Sequence, residues 1–206
     1  MLRPRLVVSA CLLGDKVRYD GRDALSNIVL KVTSLCEVIK VCPEVEIGLG
    51  VPRDKLFVHQ SGEKKRVLRY SDGEDITNRL LSFSRDFLSR LGEVDGFILK
   101  SKSPSCGFSG TKTYSDVEGK ELSHRGSGLF ADQVLVHFPE VPYEDERGLE
   151  DPHRRGIFLG KIWLHFLART TGKESLKELY NIRDISYEEL LRVLGNSPFK
   201  ELSELP

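Results

Sequence analysis

Apolar residues fall in short β-branched runs near the amino terminus and at helical spacing further along the chain. Residues 5–10 (RLVVSA) form one such run and open directly into Cys11 and a turn-rich segment, 12–22, containing Gly14, Asp20 and Gly21. That pattern predicts a buried strand ending in a loop. Residues 27–35 predict a short helix, and residues 37–41 (EVIKV) a second buried strand that stops at Cys42 and Pro43. Residues 55–59 and 66–70 flank the turn segment 60–65 and predict a hairpin. From 74 to 91 the apolar positions Ile76, Leu80, Leu81, Phe83, Phe87, Leu88 and Leu91 recur as on one face of a helix. Residues 95–100 (DGFILK) predict a third strand, and the Ser/Pro/Gly loop 101–110 behind it carries Cys106.

Strands alternating with helices predict an α/β fold, with a mostly parallel sheet and helices on both faces. Open sheets of this kind bind ligands beyond the carboxyl ends of their strands, at a topological switch point, and three cysteine loops share that edge. Residues 124–128 lead into a helix predicted over 129–137, after which 139–150 is acidic and contains proline. A boundary is expected there, between an α/β domain over 1–142 and a short helical C-terminal extension over 151–206. Asp151-Pro152 is a helix start, followed by an apolar face of Ile157, Leu159, Ile162, Trp163, Phe166 and Leu167. Shorter helices are expected near 173–180 and 186–194. Phe158, Trp163 and Phe166 read as core, not as a stacking platform for bases.

The 206-residue chain balances 31 Lys and Arg against 31 Asp and Glu, so no basic field for nucleic acid or an acidic membrane is implied. No apolar run approaches the roughly 18 residues that span a bilayer, and the amino terminus lacks a signal-peptide pattern. The expected location is cytoplasmic, with no membrane or nucleic-acid partner. In that reducing compartment four cysteines read as free thiols, metal ligands or nucleophiles.

No pair of cysteines has zinc-ribbon spacing, and His59, His124, His137, His153 and His165 show no ligand spacing with one another. Context is more informative. Cys11 stands in SACLLG, Cys42 in VCPEVEIGLGVPR and Cys106 in SKSPSCGFSG. Such loops let the backbone approach a bulky cofactor and aim N–H groups at anionic sulfur. Three thiolates suit an iron–sulfur cluster with one iron left open as a Lewis acid. Each cysteine, taken alone, is equally described as a buried apolar thiol. Cys36, between Leu35 and Val38 with no Gly or Pro beside it, reads as structural.

The combination VSACLLG, VRYDG, CPEVEIGLGVPR, SPSCG and GLFA, in that order over residues 5 to about 140, resembles the thiouracil desulfurase-like family. These small bacterial and archaeal proteins were long catalogued as a domain of unknown function. The resemblance implies a Rossmann-like fold in which three cysteines bind a 4Fe-4S cluster whose fourth iron takes up sulfur from a thiolated base. Carried to this chain, the ligands become Cys11, Cys42 and Cys106, and Cys36 matches no motif. The resemblance also implies an acidic residue that manages water and protons, with Glu44 first and Glu46 second. It implies an assisting serine near the third ligand, Ser101 or Ser103. Glu44 alone also fits a loop carboxylate or a helix cap.

Arg18 and Asp20 are read as shaping the pocket mouth, Asp20 accepting from a ring N–H; a turn closed by an ion pair fits them equally. Arg53, after Pro52, fits either contact with an anion or a strand cap and is read as structural. The expected activity is non-redox desulfuration of a small thiolated heterocycle resembling 2-thiouracil, taken as the free base. The extension is expected to stabilise the domain or to support a homodimer. Two other readings remain open at this stage: an iron–sulfur or zinc accessory or sensor protein without turnover, and a transferase with Cys106 as nucleophile.

Overall fold

A parallel sheet carries the three cysteine loops at one edge. The computed structural model describes residues 3–115, 121–172 and 192. β1 (Arg5–Ser9) pairs in parallel with β2 (Glu37–Val41) on one side and with β5 (Gly96–Leu99) on the other, and β8 (Tyr143–Asp145) closes the order β2-β1-β5-β8. The chain steps outward from β1 to β2, then returns past β1 to β5, which puts a switch point between the two central strands.

Period-two alternation sends side chains of each strand to both faces, so both must be covered. Leu6, Val8 and Ile98 meet α1 (Asn27–Thr33) and α6 (Pro152–Thr171) on one face. Val7, Val41, Phe97 and Leu99 meet α3 (Thr77–Arg90) and α4 (Leu129–His137) on the other. The helices begin where their caps place them. The Ser26 hydroxyl accepts from Val29 N at 3.4 Å, and the Asp151 carboxylate accepts from Arg154 N at 2.9 Å, one residue before Pro152. This is the α/β fold the pattern predicts.

A second sheet has no counterpart among the expected elements beyond the hairpin. β3 (Leu56–Ser61) and β4 (Lys64–Arg69) form that hairpin, and β6 (Thr111–Tyr114) and β7 (Glu121–Gly126) extend it in the order β4-β3-β6-β7. The inward positions of β6 are Thr111 and Thr113, both buried, so the segment lacks the apolar alternation that marks a strand.

The segment 139–150, where a boundary is expected, contains β8 and the short helix α5 (Glu146–Glu150), both packed into the domain. Phe158, Ile162, Trp163 and Phe166 of α6 join the core with Leu6 and Val8, in the structural role expected of the aromatics. The helices expected near 173–180 and 186–194 lie outside the described residues, apart from Arg192. Among the described residues no helix is long and apolar enough to cross a membrane.

Asp95, immediately before β5, pins α6 to the sheet. Its fully buried carboxylate takes the Arg5 amide at 2.8 Å, His165 Nδ1 at 2.9 Å, and Arg169 Nε and Nη2 at 3.1 and 2.8 Å. Burial pushes this carboxyl up, but hydrogen bonds from His165, Arg169 and the Arg5 amide outweigh it and hold it below the usual range. Asp95→Asn is expected to cost about 3 kcal/mol at neutral pH, because it removes the buried partner charge of Arg169 and leaves it only the exposed Glu93 carboxylate at 3.5 Å. Thermal unfolding should fall by about 6–12 °C. A carboxyl held low in the fold stabilises above its unfolded pKa and loses that effect as pH falls through the folded value. The gap between wild type and Asp95→Asn should therefore close below about pH 4, read by chemical denaturation across pH.

Candidate active site

Each of the three cysteines follows a strand of the parallel sheet. Cys11 lies in the 3₁₀ turn Ala10–Leu13 directly after β1, Cys42 immediately follows β2 and caps the short helix α2 (Pro43–Glu46), and Cys106 lies in the loop after β5. The strands are neighbours, so residues 31 and 95 positions away from Cys11 reach one wall.

The Cys106 loop is clamped by the start of α4. Leu129 N donates to Pro104 O at 3.1 Å, and the amides of Phe130 and Ala131 donate to Ser105 O at 2.9 and 3.1 Å. The first-turn N–H groups of that helix, which have no partner within it, thus hold the loop. Gly128 allows this approach: a Cβ there would lie 2.4 Å from the Ser105 carbonyl carbon and oxygen. The GLFA motif is therefore the seat of the SPSCG motif. Gly128→Ala is expected to push the loop away at a cost of about 1–3 kcal/mol, with lower melting temperature and poorer retention of bound iron in the purified protein.

Cys11, Cys42 and Cys106 line a cavity of about 440 Å³, together with Arg18, Glu44, Arg53, Lys100, Ser101 and Ser103. Burial pushes the Cys11 thiol up to about 12, with repulsion from Cys42 adding to it against the opposing pull of Lys100 and Arg18. Burial likewise raises Cys42, although the amides of Val45 and Glu44 are directed at its sulfur. Cys106 is raised well above the usual range by burial and then by Cys42, with Ser9 hydrogen-bonding in opposition. Cys36 stands apart, its thiol donating to Val32 O at 3.6 Å beside the α1 core.

Glu44 is held from both sides. Arg53 Nε and Nη2 lie 2.9 and 2.7 Å from Oε2, and the Ser105 hydroxyl donates to Oε1 at 2.9 Å. Arg53 also donates Nη1 to Val17 O and Gly50 O at 3.0 and 2.9 Å. It belongs to the cavity wall as the partner that orients Glu44, a role its sequence context did not disclose.

The remaining expected site residues divide. Ser101 lines the cavity, with its hydroxyl donating to Glu146 Oε1 at 2.6 Å. Ser103 also lines it, but its hydroxyl oxygen accepts the amides of Ser105 and Cys106 at 3.2 and 3.0 Å and so shapes the ligand loop. Arg18 lines the mouth beside Tyr19. Asp20 is exposed and outside the lining, its carboxylate paired with Arg18 at 3.4 Å and accepting the Arg22 amide at 3.2 Å. Glu46 is exposed on α2, also outside the lining, because a separation of two residues, about half a helical turn, points it away from Glu44. Sequence reasoning missed Arg53, Ser105, Lys100 and Glu146.

The donor set fits an iron–sulfur cluster. Cys11 and Cys106 are buried and Cys42 half-buried, so all three become thiolates only beside a compensating cationic core. Among the described residues no three His, Cys, Asp or Glu side chains come together closely enough for a single metal ion. One zinc requires sulfurs about 3.8 Å apart, from Zn–S bonds of about 2.3 Å, whereas a cubane spreads its ligands more widely. A nucleophilic Cys106 is disfavoured, since among the described residues no histidine lines the cavity and burial opposes its thiolate.

A family profile described as 2-thiouracil desulfurase matches residues 6–146. The chain belongs to the 2-thiouracil desulfurase family. A relative from Bacillus subtilis (strain 168), the uncharacterized protein YbbK, is 31% identical over 134 residues, covering 61% of this chain and 86% of YbbK. A solved structure, the [4Fe-4S]-dependent thiouracil desulfidase TudS, is similar with a TM-score of 0.55 and 30% identity, covering 72% of this chain and 94% of TudS. The 2-thiouracil desulfurase profile ends at Glu146, so it takes in β8 and stops at the carboxylate bound to Ser101.

Proposed function

We propose that this chain is a 4Fe-4S enzyme that removes sulfur from a small thiolated heterocycle of the 2-thiouracil type without net redox change, converting C=S and water to C=O and hydrogen sulfide. What carries the reading is three cysteines from three adjacent strands on one cavity wall, beside a carboxylate fixed by Arg53 and Ser105. Cys11, Cys42 and Cys106 would hold the cluster. When bound, it supplies an iron without a protein ligand, a Lewis acid suited to a thiocarbonyl sulfur. Glu44 takes a proton from the attacking water and returns one to the departing sulfur or a ring nitrogen. Arg53 and Ser105 keep its two oxygens in place. Arg18 and Tyr19 bound the mouth, and the volume of about 440 Å³ accommodates a single-ring base.

The test is incubation of the anaerobically reconstituted protein with 2-thiouracil, following sulfide and uracil together. Equimolar release of the two is expected, with no added reductant. Absence of both products, from protein carrying a full complement of iron, contradicts the proposal.

A further inference from the structure

Glu146 lies behind the cavity wall, and none of the roles above uses it. The parallel register of β5 and β8 pairs Leu99 with Asp145, so the next residues, Lys100 and Glu146, stand side by side at the carboxyl edge. There the carboxylate collects the Ser101 amide at 2.9 Å, the Ser101 hydroxyl at 2.6 Å and Lys100 Nζ at 2.5 Å. Burial raises this carboxyl, but the hydrogen bonds from Lys100 and Ser101 outweigh it and keep it ionised.

An ionised carboxylate only accepts hydrogen bonds, so the Ser101 hydroxyl has to donate to it. Lys100 Nζ donates to Ser101 Oγ at 3.2 Å, which occupies one of the two lone pairs. One lone pair is left, on an atom of a cavity-lining residue. Ser101 therefore meets a ligand as an acceptor and has no proton to offer a thiocarbonyl or carbonyl.

We propose that Glu146 is a positioning residue that fixes Ser101 as an acceptor for a ring N–H, so that the site selects thiolactams whose N–H stands beside the C=S. This rests on the desulfurase reading and narrows its substrate class. A ring alkylated on both nitrogens flanking the thiocarbonyl has nothing to give Ser101, and its approach leaves that lone pair unmatched. Glu146→Gln puts an amide where the carboxylate was, frees the hydroxyl to turn, and removes the preference.

The holoenzyme, Glu146→Gln, Ser101→Ala and the double variant are compared with 2-thiouracil and 1,3-dimethyl-2-thiouracil, with iron content and melting temperature measured alongside. Wild type should favour 2-thiouracil by about tenfold or more in kcat/KM, the worth of one hydrogen bond of typical strength. Glu146→Gln should lose most of that preference through 2-thiouracil alone, and should add nothing to Ser101→Ala. Equal losses on both substrates, or additive losses in the double variant, overturn the proposal. Calorimetric titration with uracil and 1,3-dimethyluracil asks the same question without turnover. A wild-type preference for uracil that Ser101→Ala and Glu146→Gln each abolish is expected, and a preference that survives both overturns it. Sulfide release by wild type tests the enzyme reading separately, so failure of either idea is recognisable.

Discussion

Cys106→Ser is expected to lower sulfide release from 2-thiouracil by more than about 100-fold and to strip iron from the purified protein, since loss of a direct ligand exceeds the 10–100-fold typical of a supporting residue. A serine hydroxyl is a poor substitute for thiolate at iron. The loop itself should survive, because the amides of α4 hold Pro104 and Ser105 through backbone oxygens that the substitution leaves untouched. Near-normal melting of the iron-free variant, measured against iron-free wild type, would separate lost ligation from lost folding. Cys36→Ser is the matched control: that thiol lies outside the cavity and should leave iron content and turnover near wild type. Equal iron and activity in Cys106→Ser and wild type would remove Cys106 from the ligand set.

Glu44→Gln is expected to cost about 10²–10³-fold in turnover while the protein keeps its iron, the usual contribution of a positioned acid–base group. The amide retains the shape and one acceptor oxygen but cannot take a proton from water. It also removes the charge facing Arg53, whose side chain is only 6% exposed, so a stability loss of about 3 kcal/mol should accompany the kinetic one. The two are separated by assaying well below the variant's melting temperature. A variant with full iron and unchanged turnover would move the proton-handling role away from Glu44.

The strands that position the site were legible because β-branched runs such as RLVVS and EVIKV have few other uses, although β2, at the sheet edge, is only partly buried where a buried strand was expected. A cysteine directly after such a run marked the carboxyl edge. The β6–β7 half of the second sheet was hidden because Thr111 and Thr113 fill inward positions that usually carry apolar side chains. β8 was hidden differently: its sequence, YED, is short and acidic, and only its register against β5 makes it a strand. That register also concealed Glu146, which meets Ser101 across 45 positions of sequence. Arg53 looked like a strand cap until the fold brought it against Glu44. Glu46 and Asp20 carried the right chemistry for a pocket, but one sits on the outward side of a helical turn and the other closes its own loop onto Arg18.

Three cysteines on one cavity wall are proposed to hold a cluster on which sulfur removal depends. The most direct test is to reconstitute the protein anaerobically to graded extents, and to measure iron, acid-labile sulfide and sulfide release from 2-thiouracil on the same samples. An approach to about four iron and four sulfide per chain is expected, with activity rising in proportion. Stoichiometric zinc with no iron, or activity independent of iron content, would contradict the proposal.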